Sequence, residues 1–278
     1  MTKVVPLDRD APIGVFDSGL GGLTVTAAIR RALPAESLVY LGDTARVPYG
    51  TRSAQTVLRY ARSCAAHLRA HDIKLLVVAC NTVSAVALDM LRVELDIPVL
   101  GVIGPGARAG VAASRAGRIG VLATAGTVAS GAYTRAVAGE DSRSEVFAHP
   151  APLLVPLAEE GWIQGEVPER VLERYLGELA EHRVDTVVLG CTHYPLFAPL
   201  FLQKAPELCG AGTAVVDSAE ATAQELASLL GRRGLASSRQ ESGALDLRVT
   251  DIPGRFSEVA ARFLGESVDG LSVEQVDL

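Results

Sequence analysis

Two of the four cysteines stand in the same local context. Leu75-Leu-Val-Val-Ala-Cys80-Asn-Thr82 and Asp185-Thr-Val-Val-Leu-Gly-Cys191-Thr192 each read as an apolar strand, a small residue, a cysteine and then a threonine within two positions. A thiol at a strand end, where a helix starts, feels the positive end of that helix's dipole, which favours thiolate. Such a group is a base or a nucleophile. If two related half-molecules face each other, two such groups can take a carbon-bound proton from one face of a substrate and return one to the other. The bland reading of any single cysteine is a small buried hydrophobe. Cys64, on the helical stripe of Leu58, Ala61, Ala65 and Leu68, fits it; Cys209, placed in a loop, is left unassigned.

The neighbours of the pair add chemistry. Asn81, Thr82 and Thr192 carry donors beside helix starts whose backbone N–H groups are free, and such groups bind carboxylate. Asp17-Ser-Gly-Leu-Gly-Gly22 follows the first strand. It lacks the third glycine of a dinucleotide fingerprint and the lysine of a P-loop, and Asp17 would repel a pyrophosphate while suiting an ammonium group. Its alternative is a capping Asp or Ser in a tight turn. Pro48-Tyr49-Gly50 is a rigid turn whose backbone can approach a ligand. His193, two residues past Cys191, has the type to stabilise a thiolate or shuttle a proton, against a merely packed or capping histidine. A metal reading fails on ligand count, since no second Cys/His pair stands at zinc spacing. Glu159-Glu160 before Gly161 would by itself be a solvated helix end.

Positioning such groups requires strand–helix units. Val/Ile/Leu runs at Ile13 to Phe16, Leu38 to Leu41, Leu75 to Ala79 and Ile97 to Val102 alternate with helices over about 24–32, 53–71 and 82–95. A turn at Gly104-Pro105-Gly106 suggests a boundary. A second series has strands at 118–122, 144–148, 186–189 and 214–217, a helix to about 230, a solvated loop over 231–244, and a last unit with a strand at 247–249 and a helix at 256–264. The rhythm predicts an α/β protein with mainly parallel sheets, built as two related series of strand–helix units.

Bulk composition narrows the partners. With 278 residues, 49% hydrophobic and 21% charged, the chain can bury a core and is no disordered segment. A net charge of -6 and 5% aromatics argue against nucleic acid. No run approaches the roughly 18 apolar residues of a spanning helix, and no long apolar leader starts the chain. With no C-x-x-C pair and few cysteines, the expectation is a cytoplasmic protein with free thiols and no membrane partner.

Taken together, the motifs resemble the glutamate racemases of bacterial cell-wall synthesis, within the cofactor-independent aspartate/glutamate racemase superfamily. The matching stretches are Asp17 to Gly22, Gly42-Asp-Thr-Ala-Arg-Val-Pro-Tyr-Gly50, Ala79-Cys-Asn-Thr82, Val155-Pro-Leu-Ala-Glu-Glu-Gly161 and Gly190-Cys-Thr-His-Tyr-Pro195, in order over nearly the whole chain. The resemblance implies two similar Rossmann-like domains with mainly parallel sheets and the active site in the cleft between them, expected as 1–98 plus 209–278 with Asp17 and Cys80, and 99–208 with Glu159, Cys191 and His193. It also implies Cys80 and Cys191 as acid and base, with Asp17, His193 and Glu159 assisting. It implies Asp17, Ser18, Tyr49, Gly50, Asn81, Thr82, Thr192 and His193 as substrate contacts, glutamate as substrate, no cofactor and no metal, and a homodimer. The chain departs from the family pattern at Ala151, where many relatives have cysteine, and at Ala158, where a larger apolar residue is usual.

Three alternatives compete with this reading. A pyridoxal racemase needs a placed lysine, and Lys3, Lys74 and Lys204 lie in the tail, before a strand and after a loop. Superfamily members acting on aspartate tend to carry a Gly-Gly turn where this chain has Asp17-Ser18. A non-catalytic binding module has no need of two matched thiols.

Overall fold

The computed structural model describes residues 7–251, 256–267 and 273–278; Lys3 lies outside them. The first strands come from continuous apolar runs, as expected of parallel strands covered on both faces. β1 (Ile13–Asp17), β2 (Leu38–Gly42) and β3 (Leu75–Val78) are buried along their whole lengths. They alternate with α1 (Leu23–Ala32), α2 (Ala54–Arg69) and α3 (Asn81–Glu94), and β4 (Val99–Gly101) follows. Ser53 caps α2 by accepting from the Thr56 N–H at 3.3 Å.

The chain then crosses to a second sheet through α4 (Ile103–Ala113). Gly104-Pro105-Gly106, expected as a turn, lies inside this helix. Pro105 sits in its first turn, where the missing N–H would have had no intrahelical partner. The second series comprises β5 (Arg118–Ala123), α5 (Ala125–Ser130), α6 (Ala132–Glu140), β6 (Glu145–Pro150), α7 (Leu154–Glu159), α8 (Glu166–Ala180), β7 (Thr186–Gly190), α9 (Ala198–Cys209) and β8 (Ala214–Asp217). Cys209, expected in a loop, ends α9. α10 (Ser218–Arg233), capped by Asp217 and ended by Gly234 at φ +66°, leads back to β9 (Leu245–Val249), α11 (Phe256–Leu264) and β10 (Val273–Gln275).

Both sheets are parallel, and their strand orders match. The first runs β10-β9-β2-β1-β3-β4 and the second β6-β5-β7-β8. Within each, the first strand of the series is flanked by the second on one side and the third on the other. The chain therefore reverses its direction of travel at β1/β3 and at β5/β7, and the carboxyl ends of those strands open the crevice where α/β sheets place ligands. The expected division at 98/99 and 208/209 assigns one strand wrongly on each side: β4 pairs with β3 in the first sheet, and β8 pairs with β7 in the second. The crossings run through helices α4 and α10, so no loop signal marks them.

One apolar cluster joins residues of both sheets' surroundings, from Ile13, Leu23 and Ile29 to Leu176, Leu189 and Phe201. α1 packs on α10, the helix that returns the chain from the second sheet, and on α11. Among the described residues no helix is long and apolar enough to cross a membrane. At the amino ends of the first sheet's strands, Lys74 is fully buried and donates to Glu36 Oε2, the Arg9 carbonyl and the Leu235 carbonyl at 2.5, 2.5 and 2.8 Å. Glu36 also accepts from the Ser237 N–H at 2.8 Å. A buried charge so partnered tolerates no loss of its partner. Lys74→Met should cost about 3–5 kcal/mol of unfolding free energy in urea titration, because Glu36 is left buried without its counter-ion.

Candidate active site

Asp17 ends β1 and Cys80 follows β3, so the two lie on neighbouring strands, with the Ala79 N–H donating to the Phe16 carbonyl at 2.8 Å. Cys80 occupies the N-cap position of α3 in extended conformation, and Asn81 is the helix's first residue. Ser18 Oγ lies 3.2 Å from the Cys80 sulfur. In the second sheet Cys191 follows β7, and Thr124 follows β5 as Asp17 closes β1. The two thiols thus occupy equivalent places in two sheets of equivalent order.

The halves meet closely around these ends. Thr24 Oγ1 donates to the Thr192 carbonyl at 2.8 Å. A Cβ on Gly21 would lie 2.3 Å from Thr192 Oγ1 and 2.5 Å from His193 Nδ1, so only glycine permits this approach. On the other flank Thr82 Oγ1 lies 3.0 Å from Thr124 Oγ1 and 3.4 Å from Thr127 Oγ1. The 49–51 turn packs on α5, where a Cβ on Gly126 would meet the Gly50 carbonyl at 2.8 Å. Tyr49 is buried with its hydroxyl donating to Asp43, which also takes Arg46 Nε at 2.6 Å and Thr250 Oγ1 at 2.9 Å. The phenol thereby holds the 49–51 turn in place.

Electrostatics separate the two thiols. Burial, then the neighbouring Asp17 carboxylate, push the Cys80 thiol up to about 12 against the hydrogen bonds from Ser18 and the Val83 backbone. The helix dipole favours thiolate, but desolvation and the Asp17 carboxylate act against it and hold the Cys80 thiol above its ordinary value. Asp17 is itself raised by burial, opposed by the His193 charge and the N–H groups of Gly19, Gly22 and Ser18. Its Oδ2 accepts from Gly19 N–H at 2.8 Å, whereas Oδ1 is buried with no partner among the described residues.

Cys191 has a histidine for its neighbour instead of a carboxylate. His193 Nδ1 lies 3.8 Å from the Cys191 sulfur, and Nε2 lies 3.0 Å from Glu159 Oε1. Burial alone would lower the imidazole, but hydrogen bonding to Cys191 and Glu159 overrides it and raises His193 to about 10. Phe263 of α11 closes the ring's flank edge-on, at 5.1 Å between centroids. Glu159, at the end of α7, is half exposed and meets the site through the histidine ring.

The structure thus brings Asp17, Ser18, Asn81 and Thr82 around Cys80, and Thr192, His193 and Glu159 around Cys191, with the Tyr49–Gly50 backbone at one flank. Sequence reasoning missed Thr124, Thr127 and Tyr133. The signal for Thr124 was its position after the strand that opens the second series, equivalent to the end of β1. Among the described residues no group of three or more His, Cys, Asp or Glu side chains is arranged to hold a metal. A separate open depression of 1380 Å³, lined by residues such as Arg69, Lys74 and Pro98 at the amino ends of the strands, contains none of these residues.

Two switch-point crevices, each ending in a thiol and set against each other, define a two-thiol α/β class of protein. The chain belongs to the Asp/Glu/Hydantoin racemase family, whose model matches residues 13–226, and is an amino-acid racemase by that membership. It is 50% identical over 253 residues to the glutamate racemase of Geobacter metallireducens, covering 91% of this chain and 92% of that one. The crystal structure of a glutamate racemase isoform from Bacillus anthracis superposes with a TM-score of 0.90 at 37% identity, covering 97% of this chain and 98% of that one. The glutamate racemase of Francisella tularensis, solved in complex with D-glutamate, gives 0.87 at 33% identity, with coverage of 97% and 98%.

The raised His193 has a stability consequence. A group whose folded value of about 10 exceeds its unfolded value of about 6.5 contributes stability that is fully present below about 6.5 and lost as pH rises through about 10. The melting-temperature gap between the native protein and His193→Asn should therefore narrow steadily from pH 6.5 to pH 10. A gap independent of pH in calorimetric scans would contradict the His193–Glu159 pairing.

Proposed function

We propose that this protein is a cofactor-independent glutamate racemase that interconverts L- and D-glutamate by a two-thiol mechanism. The observation that carries the reading is the pair of thiols at equivalent strand ends of two equivalently ordered sheets, each with its own assisting group. The relatives' activity on glutamate supports the substrate.

In the free protein Cys80 holds its proton and stands as the acid, while Cys191, beside the His193 imidazolium, stands as the base. L-glutamate then loses its α-proton to Cys191 and gains one from Cys80 on the opposite face; D-glutamate follows the reverse course. The substrate's ammonium group neutralises Asp17 through the free Oδ1, which removes the charge that holds Cys80 protonated and readies that thiol to give up its proton. Carboxylates find donors in Asn81 Nδ2, the Thr82 and Thr192 hydroxyls and the N–H groups of the Tyr49–Gly50 turn. The described lysines suit no Schiff base: Lys74 is locked in its ion pair, and Lys204 is paired with Glu173 and Glu207.

The family resemblance extends the proposal to a cytoplasmic homodimer that supplies D-glutamate for peptidoglycan. Four cysteines that form no disulfide accord with a reducing compartment.

Incubation of metal-free protein with L-glutamate in deuterated water tests the chemistry. Solvent deuterium should enter the α-carbon as the D-isomer forms, and a product without deuterium would refute the proton-transfer mechanism. Cys80→Ser and Cys191→Ser should each lower kcat by about 10²–10⁴-fold while glutamate binding persists. Racemisation at the native rate in either variant would leave a binding module, or another base, as the better account.

A further inference from the structure

Asn81 has a buried amide whose two ends are treated differently. Its Oδ1 accepts from the Tyr133 hydroxyl at 2.8 Å, while its Nδ2 is buried with no partner among the described residues. Both side chains are almost wholly enclosed, at 3% exposure for Asn81 and 2% for Tyr133. They come from opposite series: Asn81 opens α3 next to Cys80, and Tyr133 stands in the first turn of α6.

An amide carries an acceptor at one end and two donors at the other. Which end faces a ligand is decided by what holds the opposite end. A phenol pinned to Oδ1 turns the NH₂ toward the substrate space, where it can donate to a carboxylate; the flipped amide would present a carbonyl oxygen and repel one. Burial pushes the Tyr133 phenol well above its ordinary value, so it remains a donor throughout the working range. Its seat is cut to size: a Cβ on Gly106 would come within 3.2 Å of the hydroxyl oxygen. The adjacent Ser218 has its own proton committed to the Leu189 carbonyl at 2.8 Å.

We propose that Tyr133 is a positioning residue of the racemase, reaching across from the second series to fix the Asn81 amide with its NH₂ toward a carboxylate of glutamate. This rests on the proposed function, in which Asn81 is a substrate donor. The unpaired NH₂ is a desolvated donor awaiting an anion, and a charged acceptor forms the stronger kind of hydrogen bond with it. Tyr133 makes its hydrogen bond to Asn81 and none to either thiol among the described residues, so its loss weakens ground-state and transition-state binding alike and appears in KM rather than in kcat.

The test is steady-state kinetics in both directions on the intact protein, for Tyr133→Phe, Asn81→Ala and the double variant. Phe fills the same space and removes only the hydroxyl. Tyr133→Phe should raise KM for D- and L-glutamate about 5- to 20-fold with kcat within about twofold, and the double variant should be no worse than Asn81→Ala alone. Thermal melting of each variant reports folding separately, and a structural role would move melting without the KM-against-kcat split. If Asn81→Ala raises KM and Tyr133→Phe does not, or if the two effects simply add, the positioning role is overturned while Asn81 remains a substrate donor. An unchanged KM in Asn81→Ala would instead overturn the reading of Asn81, and this inference with it. Should Tyr133→Phe fold poorly, Gly106→Ala, which crowds the hydroxyl from behind, serves as the second variant: an unchanged KM there, with the protein folded, also overturns the proposal.

Discussion

The closeness of Gly21 to Thr192 and His193 is the constraint on which the site depends. A single methyl at Gly21 would overlap Thr192 Oγ1 at 2.3 Å, and close packing leaves no slack to absorb it. Because the space is empty, α1 can begin directly on the second sheet's thiol loop, and Thr24 can seal the contact by donating to the Thr192 carbonyl. The same approach brings the end of β1 near enough to His193 for the imidazolium to act on Asp17. Had the halves met elsewhere, the two crevices would be two unrelated sites. Joined here, they become two walls of one.

Equivalent topology does not make the walls equivalent. Cys80 has a buried carboxylate for a neighbour, and Cys191 has an imidazole backed by a half-exposed carboxylate. The first arrangement raises its thiol, with burial the larger cause and the Asp17 carboxylate the second. Asymmetric neighbours thus stand on a symmetric frame, and under the proposed mechanism they give the two thiols different roles.

Much of this was legible in the sequence because strand ends announce themselves. Apolar runs gave most of the strands, and the repeated strand–Cys–Thr context separated Cys80 and Cys191 from Cys64, which lies buried on the α2 stripe. Thr124 and Tyr133 were illegible for a different reason. Neither belongs to an unusual motif; each matters because β5 lies inside its sheet and Tyr133 of α6 reaches Asn81 at the start of α3, and one chain's residue pattern does not reveal strand order. The domain boundaries failed where the chain changes sheet within helices, with Pro105 hidden in a first turn that tolerates it. The raised Cys80 thiol was not legible because helix dipole and burial oppose each other, and their balance depends on how completely Asp17 and Cys80 are enclosed.

Enclosure also explains two atoms that an isolated fold would not leave as they are. Asp17 Oδ1 and Asn81 Nδ2 are buried and without partners among the described residues, one an acceptor and the other a donor. Each such atom costs on the order of 1–3 kcal/mol when desolvated and unpaired. The two flank Cys80 on consecutive strand ends of one sheet, and their signs are those needed for the ammonium and carboxylate groups of one amino acid. The folded chain thus carries a local instability of a chemically specific kind, which a zwitterion relieves and a neutral molecule does not. The proposed substrate carries both groups, so under that proposal one ligand would pair both atoms at once beside the Cys80 thiol.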